Sequence, residues 1–115
     1  MPWQSSELWC ADLSPSGELS GARAIAGGEG VSVFQPQWLP DGSLLVAEDS
    51  DGWWNLKRRR PGSTTWENPW PMTAETAMPQ WIYGMSTTAW DEEQLLAATC
   101  CDGCWSLQRL SLIHI

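Results

Sequence analysis

The chain has 115 residues, room for at most one small domain, and its 14 acidic against 6 basic residues leave a formal charge of −8. That balance argues against a general binder of phosphate backbones and favours solubility. There is no apolar run of about 18 residues and no charged-then-apolar leader, so neither a membrane span nor a signal peptide is legible.

In chain order, residues 7–13 (ELWCADL) are expected as a short strand, 14–17 as a turn, and 23–26 as a second strand closed by Gly27-Gly28. Residues 31–39 follow as a strand carrying Phe34 and Trp38. Pro40-Asp41-Gly42 is a turn with its own mechanism: Pro presets φ, Asp bonds back to the chain, and Gly takes the strained position. Residues 44–48 and 53–58 form a hairpin around Asp51-Gly52, because the central residues of a type I′ turn need positive φ. Pro61-Gly62-Ser63 is a turn. Residues 66–71 are a short outer strand, demoted to an edge by Pro69 and Pro71. After a connection over 73–78, residues 79–90 lead into a further strand, best placed at 85–90. Residues 95–100 and 104–109 close a last hairpin around Asp102-Gly103. No segment has a helical period long enough to matter.

The hairpin recurs. Residues 44–56 (LLVAEDSDGWWNL) lie without a gap over 95–107 (LLAATCCDGCWSL), a shift of 51 residues, and Pro40-Asp41-Gly42 faces a second polar turn, Asp91-Glu92-Glu93. All-β repeats of about 40 to 50 residues are the mark of propeller blades, each a four-stranded sheet. The expected fold is therefore all-β, a partial propeller of about two to three antiparallel blades. The boundaries read as a blade fragment at 1–28, a blade at 29–72 and a partial blade at 73–109. A complete propeller needs at least four blades, and this chain cannot hold them. The last six residues, 110–115 (LSLIHI), read as the translation of a sequencing adapter, which would remove the only histidine, His114, from the protein.

Several motifs invite chemistry. A serine nucleophile would need Gly-x-Ser-x-Gly on a strand-to-helix turn; neither Ser32 nor Ser86 has it, and no histidine base accompanies them. Cys101-Asp102-Gly103-Cys104 has the spacing of a zinc knuckle, but only Cys10 and Cys100 remain as further thiols, and the context of a redox motif is absent. Small residues flanking a two-residue turn are the plainer reading, with the thiols reduced. Asp49-Ser50-Asp51-Gly52 starts like a calcium loop but fails its spacing, with Arg60 where the last acid should stand. Lys57-Arg58-Arg59-Arg60 reads as a solvated strand edge that blocks aggregation. No catalytic, cofactor-binding or metal residue is assigned. Of the ten tryptophans, Trp9, Trp38, Trp54 and Trp105 are expected between blades, while Trp53, Trp66 and Trp70 are the least constrained. Trp53 and Trp54 must point to opposite faces.

Read together, Met1-Pro2-Trp3, Glu7-Leu8-Trp9, residues 32–38 (SVFQPQW), Pro40-Asp41-Gly42, residues 51–56 (DGWWNL), and Met78-Pro79-Gln80-Trp81 with residues 83–87 (YGMST) resemble the β-propeller of prolyl-oligopeptidase-family serine peptidases, closest to the acylaminoacyl-peptidase or dipeptidyl-aminopeptidase-like branch. The resemblance covers residues 1–109. It implies a parent chain in which the propeller caps the cleft of a C-terminal α/β-hydrolase domain that holds the Ser-Asp-His triad. It also implies hydrolysis of short peptides and an internal position for Met1. From the charge and the lack of an apolar run no nucleic-acid or membrane partner is expected, from the unpaired thiols a cytoplasmic setting, and no cofactor is assigned. The chain departs from the family pattern in lacking Arg at the 48–51 tip and in the basic run at 57–60. Two other classes stay open: a non-catalytic propeller that scaffolds proteins, and a carbohydrate-binding propeller that uses exposed Trp.

Overall fold

The computed structural model describes residues 4–79, 84–92 and 94–111. Met1-Pro2-Trp3, residues 80–83, Glu93 and residues 112–115, His114 among them, lie outside that set. The described residues contain eight strands and no helix: β1 Ser6–Leu13, β2 Leu19–Gly28, β3 Val33–Trp38, β4 Leu44–Glu48, β5 Asn55–Arg59, β6 Thr88–Trp90, β7 Leu95–Cys101 and β8 Cys104–Leu110. They form three antiparallel sheets with orders β1-β2, β3-β4-β5 and β6-β7-β8. This is an all-β partial propeller.

The second sheet is covered on both faces, which is why β4 reads as an unbroken apolar run rather than an alternating one. Leu44 and Val46 point to the first sheet and pack with Val33, Leu8, Ile25 and Trp66. Leu45 and Ala47 point the other way and join Trp54, Leu56, Leu95, Ala97 and Leu110 in the core against the third sheet. Leu110, read from the sequence as the first adapter residue, ends β8 opposite Leu95 and is buried.

Pairing repeats as the sequence does. Leu44↔Arg59 and Leu95↔Leu110 are the same pair displaced by the repeat, and every rung above them follows. The two tips differ. At the β7–β8 tip, Asp102 and Gly103 have φ of 50° and 77°, as a type I′ turn requires. At the β4–β5 tip the ladder stops at Glu48↔Asn55, so Asp51-Gly52 sits in a six-residue loop and is not the expected two-residue turn. Neighbours hold that loop open. Asp49 N–H donates to Ser32 O at 3.2 Å, Ser32 N–H donates to Asp49 Oδ1 at 2.8 Å, and Trp54 N–H donates to Glu75 Oε2 at 2.6 Å.

Other boundaries shift for local reasons. β2 starts at Leu19 rather than Arg23 because the ladder from Leu13↔Leu19 onward recruits residues with little strand propensity. The outer strand expected over 66–71 shrinks to one bridge, Arg58↔Glu67, since Pro69 and Pro71 cannot donate to a ladder. The first sheet is clipped to the second at Gly27 (φ 84°), where an added Cβ would stand 2.0 Å from Ser6 O and 2.8 Å from Val33 Cγ1. Beside it Ser6 Oγ both accepts from Val33 N–H at 2.8 Å and donates to Val33 O at 3.0 Å.

The tryptophan expectations are corrected in part. Trp54 is buried and Trp53 is 40% exposed, both in the loop before β5 and not in the strand expected there, and Trp9, Trp38 and Trp105 are 60%, 68% and 51% exposed. The repeat explains Trp105. It lies on the face of the third sheet equivalent to the one Trp54 occupies in the second, and no described sheet covers that face. Conversely, Trp66 and Trp70 are packed against the two cores, and the Trp66 indole donates to Ile25 O at 2.9 Å.

Candidate functional site

β3 and β6 are each the first strand and one edge of their sheet, and their side chains meet. β3 is bulged: Phe34 pairs with Ala47 and Gln37 with Leu45, so Gln35 and Pro36 together oppose Val46. Pro36 brings no N–H to the ladder, and Gln35 takes φ 55°, a conformation that is strained for a residue with a Cβ. The bulge aims the Gln35 amide at the start of β6. Its Oε1 accepts from Thr87 N–H, its Nε2 donates to Thr87 Oγ1 at 3.0 Å, and Thr87 Oγ1 donates on to Thr76 O at 2.7 Å. Gln37 Nε2 donates to Thr88 Oγ1 at 3.3 Å. Below the bulge Phe34 packs on Trp54 with ring centroids 4.5 Å apart. A cleft of about 440 Å³ opens beside it, lined by Leu8, Gln35, Pro36, Gln37, Met85 and Ser86 among others. The Gln35 and Gln37 amides and the Ser86 hydroxyl are its polar lining, beside apolar Leu8, Pro36 and Met85.

A second cleft, of about 330 Å³, runs between the first and second sheets. Cys10, Arg23, Ile25, Trp38, Leu44 and Arg59 line it.

The residues weighed from the sequence fall as follows. Ser32 is fully buried at the β4–β5 loop, whereas Ser86 lines the β3–β6 cleft with its hydroxyl donated to Thr88 O at 2.9 Å. No imidazole stands near either among the described residues. The acids at 48–51 serve the chain's own groups: Asp49 caps Ser32, while Glu48 and Asp51 share Lys57, which donates to Asp51 and lies 3.6 Å from Glu48 Oε1. That Lys57 hydrogen bond holds the Asp51 carboxyl below its ordinary range.

The basic run is solvated only at its end: Arg60 is exposed, but the two residues before Arg59 are not. Lys57 and Arg58 are 9% and 6% exposed, because β5 lies between the cores and needs their stems. Arg58 donates to Ser43 Oγ at 3.1 Å and to Asp41 Oδ2. Asp41 also accepts from Ser43 N–H at 2.8 Å, the back-bond expected of Pro40-Asp41-Gly42. That backbone bond first, and the Arg58 guanidinium with it, hold the Asp41 carboxyl below its ordinary range. The four cysteines are free thiols, Cys101 and Cys104 exposed.

Sequence reasoning passed over Gln35 and Thr87. The usable signal was Pro36 inside an apolar run, since a proline within a strand marks an edge or a bulge.

Comparison with solved structures places this geometry. Puromycin hydrolase superposes with a TM-score of 0.88 at 33% identity, over 96% of this chain and 17% of its own. A puromycin-hydrolysing peptidase of Mycobacterium tuberculosis superposes with a TM-score of 0.84 at 26% identity, over 97% of this chain and 18% of its own. This chain is part of a prolyl-oligopeptidase-family β-propeller. The propeller piece spans less than a fifth of either peptidase. No family model and no curated protein matches it. Within the propeller, the β3–β6 contact joins two successive sheets, so the Gln35 bulge is a feature of the seam between blades.

Proposed function

We propose that the chain forms part of the substrate-gating propeller of a serine peptidase that hydrolyses short peptides in the cytoplasm through an acyl-enzyme. The observation that carries this reading is the match to two puromycin-hydrolysing peptidases over nearly the whole of this chain. In it, residues 1–28 belong to one blade, 29–72 to the next and 73–109 to a third. The catalytic Ser-Asp-His set belongs to an α/β-hydrolase domain elsewhere in the parent chain, and this piece supplies no catalytic residue, metal or cofactor.

The work left to this piece is selection by size and hydrogen bonding. Propeller sheets stand around a central channel. We assign the meeting edges of β3 and β6 to that channel, so the Gln35–Thr87 clamp fixes how closely two blades approach at its wall. Gln37 and Ser86 then offer polar groups to a passing peptide. A narrow channel admits short peptides and excludes folded chains, which keeps the hydrolase cleft from indiscriminate attack.

The test uses the full-length parent enzyme. Gln35→Ala removes the clamp. It should raise kcat/KM for longer peptides relative to a dipeptide substrate severalfold, with the dipeptide value itself little changed. An unchanged ratio would contradict gating at this seam.

A further inference from the structure

We propose that Cys101 and Cys104 form a dithiol–disulfide site, a cross-strand staple at the β7–β8 tip that small-molecule disulfides close and small thiols reopen. The two residues are register partners directly flanking the Asp102-Gly103 turn. Their pair is of the hydrogen-bonded kind. Ala98 and Cys100 direct their backbone groups away from β8, to Thr87 and Glu75, so by alternation Cys101 directs its own toward Cys104. Such pairs hold their Cα atoms about 5.5 Å apart, inside the range of a disulfide, but their Cβ atoms toward the wide end of about 4.5–5.5 Å, so closing the bond draws the strands about 1 Å together and leaves a strained link that thiols reopen readily. Both side chains leave the same face of the hairpin, and both are exposed.

The remaining thiols are excluded by position. Cys100 points to the opposite face of β7, opposite Trp105, and is partly buried. Cys10 sits on β1, in the cleft between the first two sheets. The hairpin does not require the pair: its repeat equivalents are Ser50 and Trp53. The site also survives whatever covers the open face of the third sheet. Cys101 and Cys104 share the face of Leu95 and Ala97, not that of Trp105.

The step balances with glutathione disulfide as oxidant. The thiolate of one cysteine attacks a glutathione sulfur, forming a mixed disulfide and releasing one glutathione thiolate, which takes up a proton. The second cysteine, as thiolate, attacks the protein-side sulfur of that mixed disulfide, forms the Cys101–Cys104 bond and releases the second glutathione. Two electrons pass from the protein dithiol to the glutathione disulfide, and the two thiol protons end on the two glutathiones.

The 115-residue chain, equilibrated with glutathione and its disulfide, alkylated and fragmented in a mass spectrometer, tests this directly. Two of the four thiols should disappear, with loss of two hydrogens and a Cys101–Cys104 link, and dithiothreitol should restore them. The link should form at least tenfold more favourably in buffer than in guanidinium, since the folded hairpin presents the pair. Cys104→Ser should accumulate a glutathione adduct at Cys101 in place of the link. Four persistent thiols, links through Cys100 or between chains, or a link no more favourable in the folded than in the denatured chain would each overturn the proposal.

Discussion

Asp41→Asn isolates the least expected interaction in the chain. The amide keeps an oxygen for Ser43 N–H but turns a donor toward the Arg58 guanidinium, whose side chain is 7% exposed while that of Asp41 is 46% exposed. Stranding one member of a fully buried pair costs about 3–5 kcal/mol. Water reaches Asp41, so the loss here should be about 1–2 kcal/mol. Native-state amide exchange reads it locally at Ser43 and Arg58, whose N–H groups are bonded to Asp41 and to Glu67 O. Both should exchange about 5–30 times faster in the variant near pH 6. Acid should erase the difference. The folded pKa of Asp41 lies below its ordinary value of 3.8, so the pair contributes fully above that value and is lost as pH falls through the lowered one. Intrinsic exchange cancels in the ratio of variant to parent, which should fall toward one in that window. Equal rates at pH 6, or a ratio indifferent to acid, would refute the buried-pair reasoning.

Leu95→Ala should destabilise by about 2–5 kcal/mol because Leu95 is wholly buried between two sheets, while Leu107→Ala on the open face should stay within about 0.5 kcal/mol; pulse proteolysis in urea compares them. Gly27→Ala should uncouple the first sheet from the second, whereas Gly52→Ala, with open space around its Cβ, should cost only about 1 kcal/mol of backbone strain; exchange at Val33 N–H separates the two. The isolated chain should self-associate through its exposed indoles, and Trp38→Gln with Trp105→Gln should lower its sedimentation coefficient toward that of a monomer. A sharp, cooperative melt of the isolated 115-residue chain as a monomer would contradict that expectation.

The repeat, both hairpins and the three-sheet order were legible because turn chemistry and apolar runs are local signals. Asp102-Gly103 needs nothing beyond its own backbone to form its turn. Asp51-Gly52 has the same two residues and opens, because Ser32 and Glu75 compete for its loop, and no local reading carries those partners. The basic run misled for the same reason: Lys57 and Arg58 look like a solvated edge until Asp51 and Asp41 are brought over them. Trp105 and Trp54 hold one repeat position and differ in burial solely through what stands opposite. The Gln35 bulge was hidden in part, since Pro36 signals an edge but does not say that the preceding amide will reach the next sheet.

A longer parent peptidase is checked by the DNA sequence of the source locus, read through the Arg109 codon on a library made without adapters. The frame should depart from the adapter-like residues near Leu110 and continue into further blades and a Gly-x-Ser-x-Gly hydrolase domain. A genomic stop codon after Ile115 would contradict it and leave a binding role for this propeller piece.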